Sequence, residues 1–335
     1  MKKLCLVSLA LLALALAACS DGGSDDPADI VYVAGSVQIN GGQVACYWKD
    51  GVLHTLTTEP SYGRAIAVSD SSVYVASTIS GPKLVYWKDG VLNTVSDLSG
   101  MGGGYSVSAM AVAGSDVYIA GTYGGHEAFC FKNQDLQTLE LKVEWSRSAA
   151  IDIAVSGSDV YVAGYYQIGS PAVYQYACYW KNGELQTLTD ASSSSGVRGI
   201  AVSDSNIYIV GYNNGVLCLW KNAEPPQTIT GATYPNVSGI AVSGSNVYLA
   251  GVHEPDDITY ACYWINGVFK NISDSFWAEV SGIAVSGSNV YVAGTNYDYD
   301  GNNWVQYACY WKNGVRQNLK GGTGGYVFAI AAQKR

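Results

Sequence analysis

The sequence predicts an all-β fold in which seven antiparallel sheets of four strands each form a closed ring. Three observations predict it. One short strand motif returns seven times, its copies are spaced by roughly forty residues, and the chain begins and ends on strands of different type. The motif is Val-Tyr-Val-Ala-Gly or a close variant, and its copies begin at Val31, Val73, Val117, Val160, Ile207, Val247 and Val290.

Each repeat contains four strand-like segments, which we label A to D. Strand A reads Ala-Ile-Ala-Val-Ser at residues 65–69, and strand B is the motif above. Strand C reads Cys-Tyr-Trp-Lys-Asn-Gly at residues 178–183, and strand D reads Leu-Gln-Thr-Leu-Thr at residues 185–189. Val, Ile, Tyr and Trp favour strands, and the Asn-Gly or Asp-Gly after strand C favours a tight hairpin with positive φ. Each repeat is therefore predicted to be a four-stranded blade.

The two ends of the repeat region predict how the ring closes. No A-type segment precedes Ile30, and an A-type strand occupies residues 328–332. This last strand is expected to join the first blade and so remove its exposed edge. The prediction is a seven-bladed β-propeller of four-stranded antiparallel blades, closed by the C-terminal strand. A solenoid is the alternative, although no segment resembles the polar cap that a solenoid needs.

The repeat resembles extracellular bacterial propeller repeats with an Ala-Cys-Tyr-Trp-Lys-Asn-Gly core, which residues 177–183 match. It is also similar to the HAF-type repeat with its aromatic-x-x-Gly signature. The resemblance covers the chain from Ile30 onward. It implies the fold only, and it carries over no catalytic motif.

The N-terminal residues have the features of an exported lipoprotein. Lys2 and Lys3 precede an apolar run that is shorter than the roughly twenty residues of a membrane span, which predicts a signal peptide over residues 1–18. The segment Leu-Ala-Ala-Cys at residues 16–19 resembles a bacterial lipobox, which implies lipidation of Cys19 and anchoring to a bacterial membrane. An incidental cysteine beside an ordinary cleavage site is the alternative.

Residues 19–29 are rich in Asp and Gly and predict an acidic flexible tether, followed by the propeller at residues 30–335. Acidic residues after a lipidated cysteine also resemble the surface-export signal of some Gram-negative lipoproteins. The expected location is therefore the outer membrane or the cell surface.

Charge and cysteine register exclude two other interpretations. The net charge of −9 without a basic stripe argues against nucleic-acid binding. Cysteines share one strand C position in five blades, and equivalent positions of neighbouring sheets lie about 10 Å apart, beyond the reach of a disulfide at about 7 Å. These five cysteines, and Cys130 one residue out of register, are predicted to be free and buried. The five are Cys46, Cys178, Cys218, Cys262 and Cys309.

The aromatic residues of the repeat are predicted to pack between blades, whereas those outside it fall in the B-to-C and D-to-A connections. Both kinds of connection emerge on the same side of a four-stranded meander, so one aromatic-rich face is expected to bind a ligand. Shielding of the blade ends is the alternative.

Arg64 and Arg198 enter strand A at the same position, and Arg147 lies upstream of another A strand. These three arginines predict a cationic mouth of the central channel that would suit a carboxylate or a sulfated sugar. Pairing with acids such as Glu59 or Asp190 is the alternative. The candidate ligand-binding residues are Tyr62, Arg64, Tyr105, Trp145, Arg147, Arg198, Tyr234, Trp277 and Trp304.

A calcium site is a further candidate. Asn296, Asp298 and Asp300 place oxygen ligands at alternate positions before Gly301, as in the first half of a calcium loop, and Asp-rich hairpin loops in integrin-type propellers are similar. The second half of the loop pattern fails, because Tyr307 stands where Glu is required. An ordinary acidic loop is the alternative.

These observations favour a non-enzymatic binding module for a glycan or a protein. No nucleophile motif, zinc-helix motif or phosphate loop is present in the sequence. A polysaccharide lyase or glycoside hydrolase is the first alternative, since Arg64, Arg198 and loop acids would lie on the same face. These acids are Glu127, Glu254, Asp256, Asp257 and Glu279. An architectural subunit of the cell envelope is the second alternative.

Overall fold

The fold is a closed ring of seven four-stranded antiparallel sheets, as the repeat predicts. The computed structural model describes residues 29–80, 82–97, 103–141, 147–168, 174–190, 194–233, 235–273 and 277–335. The predicted signal peptide, Cys19, Trp145 and Tyr234 lie outside these residues. No helix in the described ranges has the length and apolar character needed to cross a membrane.

Each blade runs outward from an innermost strand at the central channel. Blade 1 is β28 (Tyr326–Gln333), β1 (Ile30–Ile39), β2 (Gly42–Lys49) and β3 (Val52–Pro60). Blade 2 is β4 (Ala65–Ser69), β5 (Ser72–Ile79), β6 (Lys83–Lys88) and β7 (Val91–Asp97). Blade 3 is β8 (Tyr105–Ala113), β9 (Asp116–Tyr123), β10 (Glu127–Lys132) and β11 (Asp135–Gln137). Blade 4 is β12 (Arg147–Ser156), β13 (Asp159–Ile168), β14 (Tyr174–Lys181) and β15 (Glu184–Thr187). Blade 5 is β16 (Ser195–Ser203), β17 (Asn206–Asn213), β18 (Val216–Lys221) and β19 (Gln227–Thr228). Blade 6 is β20 (Asn236–Ser243), β21 (Asn246–His253), β22 (Tyr260–Ile265) and β23 (Val268–Asn271), with a 3₁₀ turn at Pro255–Asp257. Blade 7 is β24 (Trp277–Ser286), β25 (Asn289–Tyr299), β26 (Trp304–Lys312) and β27 (Val315–Thr323).

The C-terminal strand closes the ring, which confirms the predicted closure. β28 pairs antiparallel with β1, and Ile330 lies opposite Val33. The seven innermost strands contact one another around the axis in the order β4, β8, β12, β16, β20, β24 and β28.

The core lies between neighbouring blades and is built from the repeat aromatics, as expected. Trp48, Trp180, Trp220, Trp264 and Trp311 are fully buried. The Lys that ends strand C in six blades lies over the Tyr of the adjacent B strand, with the ammonium 5.3–5.7 Å from the ring centroid. The six described cysteines are free and buried, which confirms that prediction, and burial raises the pKa of Cys130, Cys218 and Cys309 to about 12.

The Asn or Asp after strand C has a second role besides forming the turn. In all seven blades it adopts a positive φ of 49–56°, and its side-chain oxygen accepts a hydrogen bond of 2.8–3.0 Å from the first N–H of the B-strand motif. Asn266, for example, accepts from Val247 N. The residue therefore ties the C–D turn to the start of strand B.

The Gly of the B-strand motif is required by close approach of strand A. At Gly164, an added Cβ would overlap the main-chain oxygen of Ala149 in β12. Blade 2 has Ser77 at this position, and its A strand is short, so β4 does not reach the residue opposite Ser77. The one exception in the motif therefore coincides with the one blade that lacks the clash.

The ring has two distinct faces. The loop face carries the B–C and D–A connections, and the turn face carries the A–B and C–D turns. Asp29 lies on the turn face, where its carboxylate accepts hydrogen bonds from Ser286 Oγ, Asn289 Nδ2 and Tyr291 OH at 2.7–2.8 Å. Burial raises the pKa of Asp29, but these hydrogen bonds outweigh it and lower the pKa below its ordinary value. At the other end of the chain, Arg335 pairs with Asp50 of a C–D turn at 3.0 Å.

Candidate functional site

An exposed aromatic cluster on the loop face belongs to blade 7. The ring centroids of Trp277 and Trp304 are 4.9 Å apart, and those of Tyr299 and Trp304 are 5.4 Å apart. The three side chains are 46%, 45% and 57% exposed in the order Trp277, Trp304 and Tyr299. We call these three residues the aromatic platform. The prediction that Trp277 and Trp304 share a face agrees with this geometry, and the structure adds Tyr299.

Strand pairing places the aromatic platform. Trp304 begins β26 directly opposite Tyr299, near the end of the eleven-residue β25, and Trp277 begins β24 opposite Tyr297. Ala278 N donates to Thr259 O at 3.0 Å, which ties β24 to the B–C connection of blade 6. The aromatic side chains thus project from paired strands, whereas the repeat pattern predicts that they lie in the B–C and D–A connections.

Polar groups border the aromatic platform. A cavity of about 240 Å³ beside Trp277 is lined by Thr259, Ala278, Glu279 and Tyr297. Tyr297 OH donates to Glu279 Oε1 at 3.4 Å, and burial together with the Glu279 charge raises the pKa of Tyr297 to about 12. The hydroxyl is therefore protonated at neutral pH, and the carboxylate retains free acceptor capacity for a ligand hydroxyl.

Two of the predicted arginines, Arg64 and Arg198, lie at the loop-face end of an A strand. In six A strands one bulged residue precedes the axial segment, and Arg64 stands at the equivalent place just before β4, so seven residues mark the loop-face ends of the A strands. They are Arg64, Ser108, Ile151, Arg198, Ser238, Ser281 and Phe328.

The arginine side chains rest on aromatic rings. The Arg64 guanidinium lies 4.9 Å from the Tyr62 ring and 4.5 Å from the Phe328 ring, and that of Arg198 lies 5.5 Å from the Tyr212 ring. Ion pairing with Glu59 or Asp190 is not found for either guanidinium among the described residues. Arg147 is exposed at the start of β12, opposite Gln167.

Asp152 lines the channel and was not singled out by the sequence. It stands in β12 where the other A strands have Gly or Ala, and its carboxylate accepts from Ile153 N at 2.8 Å and from Ile200 N of blade 5 at 2.9 Å. Burial raises the pKa of Asp152 to about 6, and the two N–H donors oppose that shift. The substitution of an acid for a small residue in one repeat was the signal that could have identified it.

Tyr105 occupies a different environment from the one expected of a loop-face ligand residue. Its ring packs 5.0 Å from Phe129 and 5.7 Å from Phe131, and its hydroxyl is 3.2 Å from Ser96 Oγ. Blade 3 has Phe131 where most blades have the buried Trp, so Tyr105 helps to fill that volume. It also lines an apolar cavity of about 500 Å³ beside Leu139.

The residues proposed for calcium already have protein partners. Asn296 is fully buried and donates to Asp298 Oδ1, and Asp298 forms a bidentate pair with Arg316 at 2.8–2.9 Å. Asp300 Oδ1 accepts from the N–H groups of Asn302 and Asn303, which lower the pKa of Asp300. The calcium site stays a prediction from the sequence.

Other groups with catalytic or metal-binding potential are dispersed. His253 is buried against Tyr260 and Phe269, and burial lowers its pKa. Glu127 belongs to blade 3, whereas Glu254 and Glu279 belong to blades 6 and 7. In the ranges that the structure describes, no three His, Cys, Asp or Glu residues are grouped so that they could hold a metal ion.

Comparisons with known proteins show the fold. No protein-family profile and no curated protein matches the sequence. The chain is similar to the β-propeller domain of the Trilobed protease from Pyrococcus furiosus, described as having an open velcro topology, with 10% identity over 88% of this chain and 96% of that chain and a TM-score of 0.54. It is also similar to a chain of a nidogen/laminin complex, with 12% identity over 91% of this chain and 98% of that chain and a TM-score of 0.40. A third similar structure is extracellular domains 1–2 of Drosophila Semaphorin 1b, with 10% identity over 62% of this chain and 54% of that chain and a TM-score of 0.33. At these identities the first likeness shows the propeller fold alone.

Proposed function

We propose that this protein is a non-enzymatic binding module that recognises a glycan through the aromatic platform of Trp277, Tyr299 and Trp304. The single observation that carries the proposal is the contact between three large aromatic side chains that each remain about half exposed. Exposed aromatic patches on a rigid scaffold mark binding sites, and Trp and Tyr dominate binding energy where they occur.

The chemistry of the aromatic platform and its border fits a sugar. The face of an aromatic ring carries partial negative charge and attracts the C–H groups on one side of a pyranose ring. Glu279 and Tyr297 beside Trp277 offer an acceptor and a hydroxyl to sugar hydroxyl groups. An apolar protein surface would match the rings but would leave these polar groups unsatisfied, so a glycan is the preferred ligand over a protein.

The same proposal includes anchoring through a lipid at Cys19 to the outer membrane or the cell surface of a Gram-negative-type bacterium. Asp29 is bound on the turn face, so the chain N-terminal to it is attached opposite the loop face. A protein anchored in this way would present the aromatic platform away from the membrane. This orientation is what a receptor for an external glycan requires.

The test is binding of purified protein to a panel of neutral and acidic polysaccharides, followed by titration calorimetry with oligosaccharides of the best binder. Trp304→Ala should weaken binding at least tenfold, because truncation of a central aromatic contact costs about 2 kcal/mol. Tyr174→Ala is the matched control, since Tyr174 is 44% exposed at the start of a C strand of blade 4.

Equal affinity of Trp304→Ala and the parent protein would overturn the proposed site. Release of new reducing or unsaturated ends from a bound polysaccharide would overturn the non-enzymatic assignment in favour of a hydrolase or lyase. Binding only to a protein of the envelope, with no glycan retained, would overturn the ligand class.

A further inference from the structure

We propose that the central channel holds a second binding site, specific for a small carboxylate, formed by main-chain N–H groups of blades 6, 7 and 1 together with Arg198. This site is separate from the aromatic platform and goes beyond the proposed function. The cavity has a volume of about 180 Å³, and its lining includes the six bulged residues of blades 1 and 3 to 7.

The innermost strands direct N–H groups at the axis. Hydrogen-bonded and non-bonded pairs alternate along an antiparallel ladder, and the N–H of a non-bonded residue points away from its partner strand. Ile200, opposite Ile209, is such a residue, because its N–H donates to Asp152 across the channel wall. The equivalent register recurs around the ring, so the corresponding N–H groups also face the axis. In the three blades concerned these are Ile240, Ile283 and Ile330.

The channel wall already binds one carboxylate, that of Asp152. Its two oxygens accept from N–H groups of two adjacent blades, those of Ile153 and Ile200. Asp152 therefore shows the binding mode that the pseudo-symmetry of the ring repeats elsewhere. A ligand carboxylate placed at a neighbouring pair of blades would meet the same arrangement of donors, and hydrogen bonds to a charged acceptor are stronger than neutral ones.

Three glycines leave the donors of the neighbouring blades uncovered. Gly199, Gly239 and Gly282 occupy the position of Asp152 in blades 5, 6 and 7. A Cβ built on Gly239 would lie 3.6 Å from Ile283 N, and one built on Gly282 would lie 3.9 Å from Ile330 N. Blades 1, 2 and 3 have alanine at this position, so their methyl groups would cover the next N–H around the ring.

Charge and hydroxyl groups complete this arc of the channel. Arg198 lines the cavity, and its guanidinium forms no ion pair with an acid of the described chain. Ser238 and Ser281 line the cavity from blades 6 and 7. The arc from blade 5 to blade 1 thus combines a cation, hydroxyl groups and N–H donors, whereas Asp152 lies in blade 4, next to the blade 5 end of this arc.

The test uses ¹³C-acetate as the probe and acetamide as its neutral isostere, with ligand-observed NMR at pH 7.5. The parent protein should bind acetate and not acetamide. The double variant Gly239→Ala/Gly282→Ala should weaken acetate binding at least fivefold, because each methyl covers one N–H at ordinary contact distance. Asp152→Ala should strengthen binding, because it removes the repelling charge from the channel wall.

Two single variants make the result independent of any folding defect in the double variant. Arg198→Gln changes an exposed side chain and should weaken acetate binding at least fivefold, whereas Arg147→Gln, which removes an arginine outside the cavity lining, should leave it unchanged. Trp304→Ala should not affect acetate either, which separates this site from the aromatic platform. Absence of acetate binding by the parent protein at concentrations up to about 50 mM would overturn the proposal, and so would equal acetate binding by Arg198→Gln.

Discussion

Replacement of Asp152 by alanine should change how the stability of the propeller depends on pH. Asp152 is the only acid at an axial position where the other six blades have Gly or Ala, so Asp152→Ala gives blade 4 the residue that blades 1, 2 and 3 have. Burial raises the pKa of Asp152 to about 6 in the folded protein, against about 3.9 for an unperturbed aspartate. The folded state therefore binds a proton at a higher pH than the unfolded state does.

The sign and the size follow from linkage. A carboxyl whose pKa is raised on folding destabilises the folded protein when it is charged, so the free energy of unfolding should rise as pH falls from about 6 to about 4. A shift of about two units at 1.36 kcal/mol per unit gives about 3 kcal/mol as an upper limit, since the channel leaves the carboxylate partly accessible. Loss of the two hydrogen bonds to Ile153 and Ile200 adds a constant cost to Asp152→Ala at every pH.

The assay is guanidinium unfolding of both proteins, followed by tryptophan fluorescence, at several pH values between 4 and 8. The stability advantage of the parent protein over Asp152→Ala should grow by about 1–3 kcal/mol between pH 8 and pH 4. Every other titrating group is common to the two proteins and cancels in the difference. A difference that is constant with pH, or that shrinks towards pH 4, would refute the burial-driven shift.

Three other outcomes test the architecture. Asn266→Gly keeps the positive φ of the turn but loses the hydrogen bond from Val247 N, so it should lower the free energy of unfolding by about 1 kcal/mol in a denaturant titration. An unchanged unfolding midpoint would contradict the stabilising role of this hydrogen bond between the C–D turn and strand B. Gly164→Ala should destabilise the protein by about 2 kcal/mol or more, because the added methyl group would overlap β12, whereas Ser77→Ala at the same motif position should be tolerated. Similar thermal unfolding midpoints for the two variants would show that strand A does not require the glycine. Burial and a raised pKa should keep Cys218 unreactive towards a thiol reagent at pH 8 until the protein unfolds, as followed by mass spectrometry. Rapid labelling of Cys218 in the native protein would contradict its burial.

The repeat predicted the ring because its signals are local and recur in register. The Val-Tyr-Val-Ala-Gly motif defines strand B in every blade, and the A-type segment near residue 330 required a partner that only the strand beginning at Ile30 lacked. The free state of the cysteines also followed from register alone, since equivalent positions on neighbouring sheets are too far apart for a bond.

The candidate sites were predicted less completely, because they depend on departures from the repeat. The sequence placed Trp277 and Trp304 on one face, but their contact with each other and with Tyr299 results from the length and pairing of β25. Tyr105 belongs to the packing of blade 3, where phenylalanine replaces the larger tryptophan and leaves volume to fill. Such compensation between residues far apart in sequence has no periodic signal.

The pairing of β28 with β1 also constrains the order in which the chain can become complete. Every other blade draws its four strands from one continuous stretch, so each of those sheets can form soon after its own residues have been synthesised. Blade 1 lacks its axial strand until residue 333 has left the ribosome, and the inner edge of β1 has no partner strand until then. Closure of the ring therefore follows the synthesis of the other six blades, and removal of β28 alone would leave blade 1 without its axial strand.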